Sequence, residues 1–186
     1  MLMPVFTKRC LTFCLPVFLL FIVKADFAQA PATRFKFDFG AGKAAKGYIP
    51  VTPQSIFTGA TGYGIDFGTS VTAVTRNKKK PLTGSYLTGD KPFYFSVNVP
   101  EGNYKVTVTL GDIKGASLTT VRAESRRLML EKISTANGET RQLSFIVNIR
   151  KPQICTGGQV SRKPREFGKY DWDDKLTLEF NDAHPC

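Results

Sequence analysis

A chain of 186 residues with 26 Lys and Arg against 15 Asp and Glu carries a formal charge of +11, which favours anionic partners. One histidine and four cysteines, with no Cys-x-x-Cys pair, exclude a zinc or redox motif and leave little for a histidine-based catalytic centre.

The N-terminus sets the expected compartment. Lys8 and Arg9 precede an apolar run from Cys10 to Val23, interrupted by Thr12 and Pro16, and Ala28-Gln29-Ala30 offers small residues where a signal peptidase reads. That order predicts a secretory signal peptide over residues 1–30 and an exported protein, periplasmic or secreted. The run is about 14 residues, short of the roughly 20 of a spanning helix, so no stable membrane span is expected. Residues 31–186 then form one domain, long enough for a sizeable core and holding +9 of the charge. Export makes nucleic acid the least suitable anionic partner. The basic runs Arg76–Lys80 and Arg162–Arg165 read first as solvated loops.

Period-two alternation dominates residues 31–186. Phe35, Phe37 and Phe39 share one face of a first strand. Residues 40–68, rich in Gly, Thr and Tyr, read as a long irregular loop. Phe93, Phe95, Val97 and Val99 mark a strong strand, and Tyr104, Val106, Val108 and Leu110 mark the next. Pro100-Glu101-Gly102-Asn103 between them reads as a tight hairpin turn. Val121, Leu128, Leu130 and Ile133 suit strands, and Leu143, Phe145, Val147 and Ile149 form another apolar face. Asn137-Gly138 lies between Arg126–Thr135 and Thr140–Arg150, and both of its residues accept positive φ, so it predicts a hairpin. Residues 151–174 read as a second long loop before a last strand with Leu176, Leu178 and Phe180. About eight half-buried strands with frequent turns predict an all-β sandwich or jelly roll.

The chain supplies no complete catalytic set. His184 is the third residue from the end of the sequence and reads as a solvated residue, and no Gly-x-Ser-x-Gly elbow is present. Asp171, Asp173 and Asp174 sit too close on one segment to face each other across a sugar ring as glycosidase carboxylates do. They lack the turn glycine and the ligand number of a calcium loop, and they read as a solvated loop. No metal or other cofactor is expected. Cys155 and Cys186 are the two cysteines beyond the leader; they either pair in an oxidising compartment or stay as thiols. Binding chemistry rests on aromatics: a sugar lays its apolar ring face on Trp or Tyr while polar side chains reach its hydroxyls. The candidates are Trp172 and Tyr170 in the second loop and Tyr48 and Tyr63 in the first.

A set of short motifs in a fixed order adds a family resemblance. Phe37-Asp38-Phe39-Gly40 precedes Gly47-Tyr48-Ile49-Pro50-Val51, Gly62-Tyr63-Gly64-Ile65-Asp66 and Pro100-Glu101-Gly102-Asn103-Tyr104. Leu110-Gly111-Asp112, residues 121–131, Phe145–Arg150 and Lys175–Phe180 complete it. Together they resemble the galactose-binding-like N-terminal β-sandwich of rhamnogalacturonan acetylesterases and related agarase-associated modules. The resemblance implies a jelly roll attached to an SGNH-type esterase domain whose nucleophile lies in a Gly-Asp-Ser block. Gly89-Asp90-Lys91 and Gly111-Asp112-Ile113 lack that serine, so no catalytic residue carries over. The expectation is a truncated esterase, with a final strand and the catalytic domain missing after Cys186. Its function is then to bind or scaffold pectic or galactose-containing polysaccharide. A purely structural collar and an adhesin-like module for anionic surfaces are the alternatives.

Overall fold

The computed structural model describes residues 34–124, 126–166, 172–182 and 185. The predicted leader, residues 1–30, and His184 lie outside these residues. The described chain is all-β, a β-sandwich of eleven strands and one 3-10 turn at Pro164–Glu166. The strands are β1 (Phe37–Phe39), β2 (Ile49–Val51), β3 (Tyr63–Asp66), β4 (Thr72–Thr75), β5 (Ser85–Thr88) and β6 (Phe93–Asn98). The later ones are β7 (Gly102–Leu110), β8 (Ser117–Ala123), β9 (Arg127–Thr135), β10 (Arg141–Ile149) and β11 (Lys175–Asn181).

Five strands form one sheet in the order β3-β6-β11-β8-β9. Its inner face is built by register: Leu176 lies opposite Val97, Leu178 opposite Phe95 and Ala123, and Phe180 opposite Phe93 and Val121. These side chains bury into one core with Ile65, Leu110, Val147 and Ile149, and Val106, Val108, Leu143 and Phe145 of β7 and β10 pack against it. Each fully buried Val, Leu, Ile or Phe among them contributes about 1.5–3 kcal/mol by leaving water. Phe37 and Phe39 of β1 both meet Phe95 edge-on, with ring centroids 4.9 Å apart.

Two turn expectations need correction. Pro100–Asn103 does not close a hairpin: β6 pairs with β3 and β11, whereas β7 pairs with β10. Asn137-Gly138 likewise joins β9, which pairs with β8, to β10 in the other layer. Both turns carry the chain from one sheet to the other, as jelly-roll connections do. Gly138 does adopt φ +86°, so the local chemistry is legible in the sequence and the pairing is not. The strand count also rises from eight to eleven. Much of the difference lies in residues 40–68, which hold β2 and β3 where the Gly-rich composition suggests a loop.

Around Ser96 and Thr177 the outer face of the five-stranded sheet is polar yet buried. Ser96 and Thr177 are fully buried and joined at 2.9 Å, and Ser96 Oγ donates to Asp66 Oδ2 at 2.6 Å. Lys175 Nζ reaches the same carboxylate oxygen at 2.6 Å while lying 4.6 and 4.5 Å from the ring centres of Phe57 and Phe67. Pairing and hydrogen bonding offset the cost of burying these groups.

Candidate functional site

At one end of the sandwich a hollow of about 270 Å³ is lined by Glu101, Arg150, Lys151, Gln153 and Trp172, with Ile154, Cys155 and Val160 completing the wall. Three segments converge there. Glu101 lies in the turn from β6 to β7, which Tyr104 ties down by donating its hydroxyl to the Pro100 carbonyl at 2.7 Å. Arg150 comes directly after β10; its Nε donates to Asn148 Oδ1, and Asn148 Nδ2 donates to Asn103 Oδ1 at 2.7 Å, so the guanidinium is held in place. Residues 152–160 fold back on themselves through Val160 N to Pro152 O at 2.8 Å and Ile154 N to Gly158 O at 3.1 Å. Trp172 precedes β11, and its segment is anchored by Val99 N donating to Asp174 O at 3.0 Å.

The hollow therefore sets one indole beside two cations, a carboxylate and an amide. That combination suits a small polar ring with one apolar face and an anionic substituent. It offers no nucleophile with a paired base.

The other candidates lie elsewhere. Tyr63 faces the interior, 5.4 Å from the Phe37 ring, and packs on the core. Its position opposite Val97 puts it on the inner face, so the alternation Tyr63-x-Ile65 is the available signal. Tyr48 is half-buried under Lys36 Nζ at 5.5 Å and lines a different cleft. Tyr170 and Cys186 lie outside the described residues, and Cys155 is an exposed free thiol. Among the described residues no group of three His, Cys, Asp or Glu is arranged to hold a metal. No described helix is long and apolar enough to cross a membrane.

Sequence reasoning misses the two most polarised clusters. Asp112, nearly buried, accepts from Arg76 Nε at 3.2 and 3.1 Å, Arg76 Nη2 at 2.8 Å, Tyr86 Oη at 2.7 Å and the Lys114 amide at 2.9 Å. Burial pushes its carboxyl up, but Arg76, the Lys114 amide and Tyr86 together outweigh that and hold it below the ordinary range. Burial and then the neighbouring Asp112 push the Tyr86 hydroxyl up to about 12. Asp66 obeys the same logic: burial raises it, and Lys175, Ser96 and the Phe67 amide bring it below its usual value. In both clusters the carboxylate is already occupied by its donors: the Asp66 cluster ties β3, β6 and β11 together, and the Asp112 cluster ties the loops after β4 and β7 to β5. Arg76 and Asp112 are 36 positions apart, and no local pattern announces such a pair.

A family model described as beta-agarase/YXIM esterase-like, galactose-binding domain-like, matches residues 35–158. Among solved structures, protein YxiM from Bacillus subtilis is similar at a TM-score of 0.45 and 22% identity, over 81% of this chain and 41% of that one. The chain thus spans less than half of that protein's length. No curated protein matches. With two thirds of its length inside the family model and a sandwich to match, the chain belongs to the beta-agarase/YXIM esterase-like, galactose-binding domain-like family.

Proposed function

We propose that residues 31–186 are the carbohydrate-binding domain of an exported, pectin-directed acetylesterase, and that an acidic sugar residue sits in the Trp172 hollow. The observation that carries this reading is the convergence of Trp172 with Arg150, Lys151, Glu101 and Gln153 around one hollow. The indole takes the apolar face of the ring. Arg150 and Lys151 take a carboxylate such as that of galacturonate through charge-assisted hydrogen bonds. Glu101 and Gln153 accept from or donate to hydroxyls. The excess of Lys and Arg over the whole chain favours an anionic polymer. The esterase partner is suggested by the family description and export by the leader sequence; neither assigns a reaction to these residues.

Calorimetric titration against rhamnogalacturonan, polygalacturonate and neutral galactan tests the proposal. Acidic polymers should bind more tightly than neutral ones, and Trp172→Ala should weaken binding by about tenfold or more, the equivalent of about 1.4 kcal/mol. Equal affinity of wild type and Trp172→Ala would remove the hollow from the account. No binding of any of these polymers would remove the sugar.

A further inference from the structure

The second layer of the sandwich is interrupted. β1 pairs on one side with β2, and β7 pairs on one side with β10; among the described residues no ladder joins β1 to β7. Between them runs a cleft of about 660 Å³ that reaches the core. It is lined by consecutive residues of both strands, 34–39 and 104–110, rather than by one side-chain face of each, and Leu82 with Ser85, Tyr86 and Leu87 of β5, which abuts the end of β1, lines it as well. Each strand therefore turns an edge of backbone N–H and C=O groups towards the cleft. The floor comes from the opposite sheet: Phe93, Phe95, Leu178 and Phe180. Tyr104, Val106 and Val108, which alternate inwards on β7, are only half-buried, as residues beside an unfilled position would be. The rim is basic, with Arg34 and Lys36 on one bank and Lys105 on the other, all exposed.

Two facing strand edges over an apolar floor make a seat for one more strand. Seven residues of β7 line it, a run of about 20 Å, which matches a strand of ordinary length. We propose that the cleft is a strand-acceptor site. It takes an extended segment of a partner polypeptide, apolar at alternate positions and acidic at those between. The apolar side chains fill the floor, the acidic ones meet Lys36 and Lys105, and the backbone pairs with β1 and β7 to give a continuous sheet β2-β1-partner-β7-β10. This site is separate from the Trp172 hollow and stands or falls without it.

The test uses the full chain and two fluorescein-labelled nine-residue peptides of equal composition. One alternates Glu with Val and Phe; the other groups the same residues. Anisotropy should show saturable binding at least tenfold tighter for the alternating peptide. Amide exchange should slow in residues 36–39 and 104–110 when it is bound. Lys105→Glu, at an exposed position, should weaken it by about two- to fivefold, the range of a cross-strand charge pair. Equal affinity for both peptides would mean charge attraction alone and would overturn the proposal. So would the absence of binding, or binding without protection of β7.

Discussion

Asp112 gathers an arginine fork, a phenol and a backbone amide on one carboxylate, and Asp66 gathers a lysine, a serine and an amide. Both carboxyls are held below the unperturbed value of 3.8, each by donors that outweigh its burial. A depressed folded-state value means that the stabilisation is complete above the unfolded value and is lost as pH falls through the folded one. The domain should therefore lose stability steeply below about pH 4, and thermal melts across pH 2–6 would show it. A flat profile would mean that neither pair matters. Tyr86 works in the opposite sense: its folded value of about 12 exceeds the unperturbed 10, so its contribution is present below pH 10 and fades as pH rises towards 12. Tyr86→Phe removes one donor from Asp112 and should cost about 1–2 kcal/mol, read as a lower urea midpoint at unchanged slope. None of this is legible in the sequence. Gly111-Asp112 stands out there only as a serine-less motif, and the spacing from Arg76 carries no periodic signal.

At the level of elements, side-chain alternation identifies the long strands because each has one face in the core. β6 and β11 read correctly from Phe93–Val99 and Leu176–Phe180, β7 from Tyr104, Val106, Val108 and Leu110, and β10 from Leu143, Phe145, Val147 and Ile149. Pairing is set by contacts between distant strands, so two turns with hairpin chemistry become crossings between sheets. Short β3 escapes because its glycines suggest a loop, yet Gly64 is there for space. A Cβ at Gly64, with φ +149°, would lie 2.4 Å from the Phe57 amide nitrogen and 2.5 Å from the Ile56 carbonyl carbon. At Gly138, φ +86°, the nearest atom would be 3.8 Å away. Gly138→Ala should therefore cost only the left-handed backbone penalty, about 1–2 kcal/mol. Gly64→Ala should cost clearly more, because the segment Ser55–Phe57 must move as well. Equilibrium unfolding of the two variants ranks them; equal losses would show that close approach at Gly64 is unimportant.

Across the whole molecule, the sequence announces a β-sandwich with aromatic candidates but does not say which aromatic finds polar company. Tyr63 goes into the core with Phe37, Tyr48 goes to the rim of the open layer, and Trp172 meets Arg150 and Glu101. That meeting depends on the ends of β6 and β10 and the start of β11 lying at the same edge, a product of topology and not of any local motif. It also gives the central claim a direct probe, because Trp172 is the only tryptophan in the chain. Its fluorescence, excited near 295 nm, reports on the hollow and on nothing else among the side chains. Titration with galacturonate oligosaccharides should produce a saturable change in that signal, weakened by Arg150→Ala and by added salt, as charge contacts to a carboxylate require. An unchanged spectrum at millimolar oligosaccharide, in wild-type protein that is folded by circular dichroism, would contradict the account.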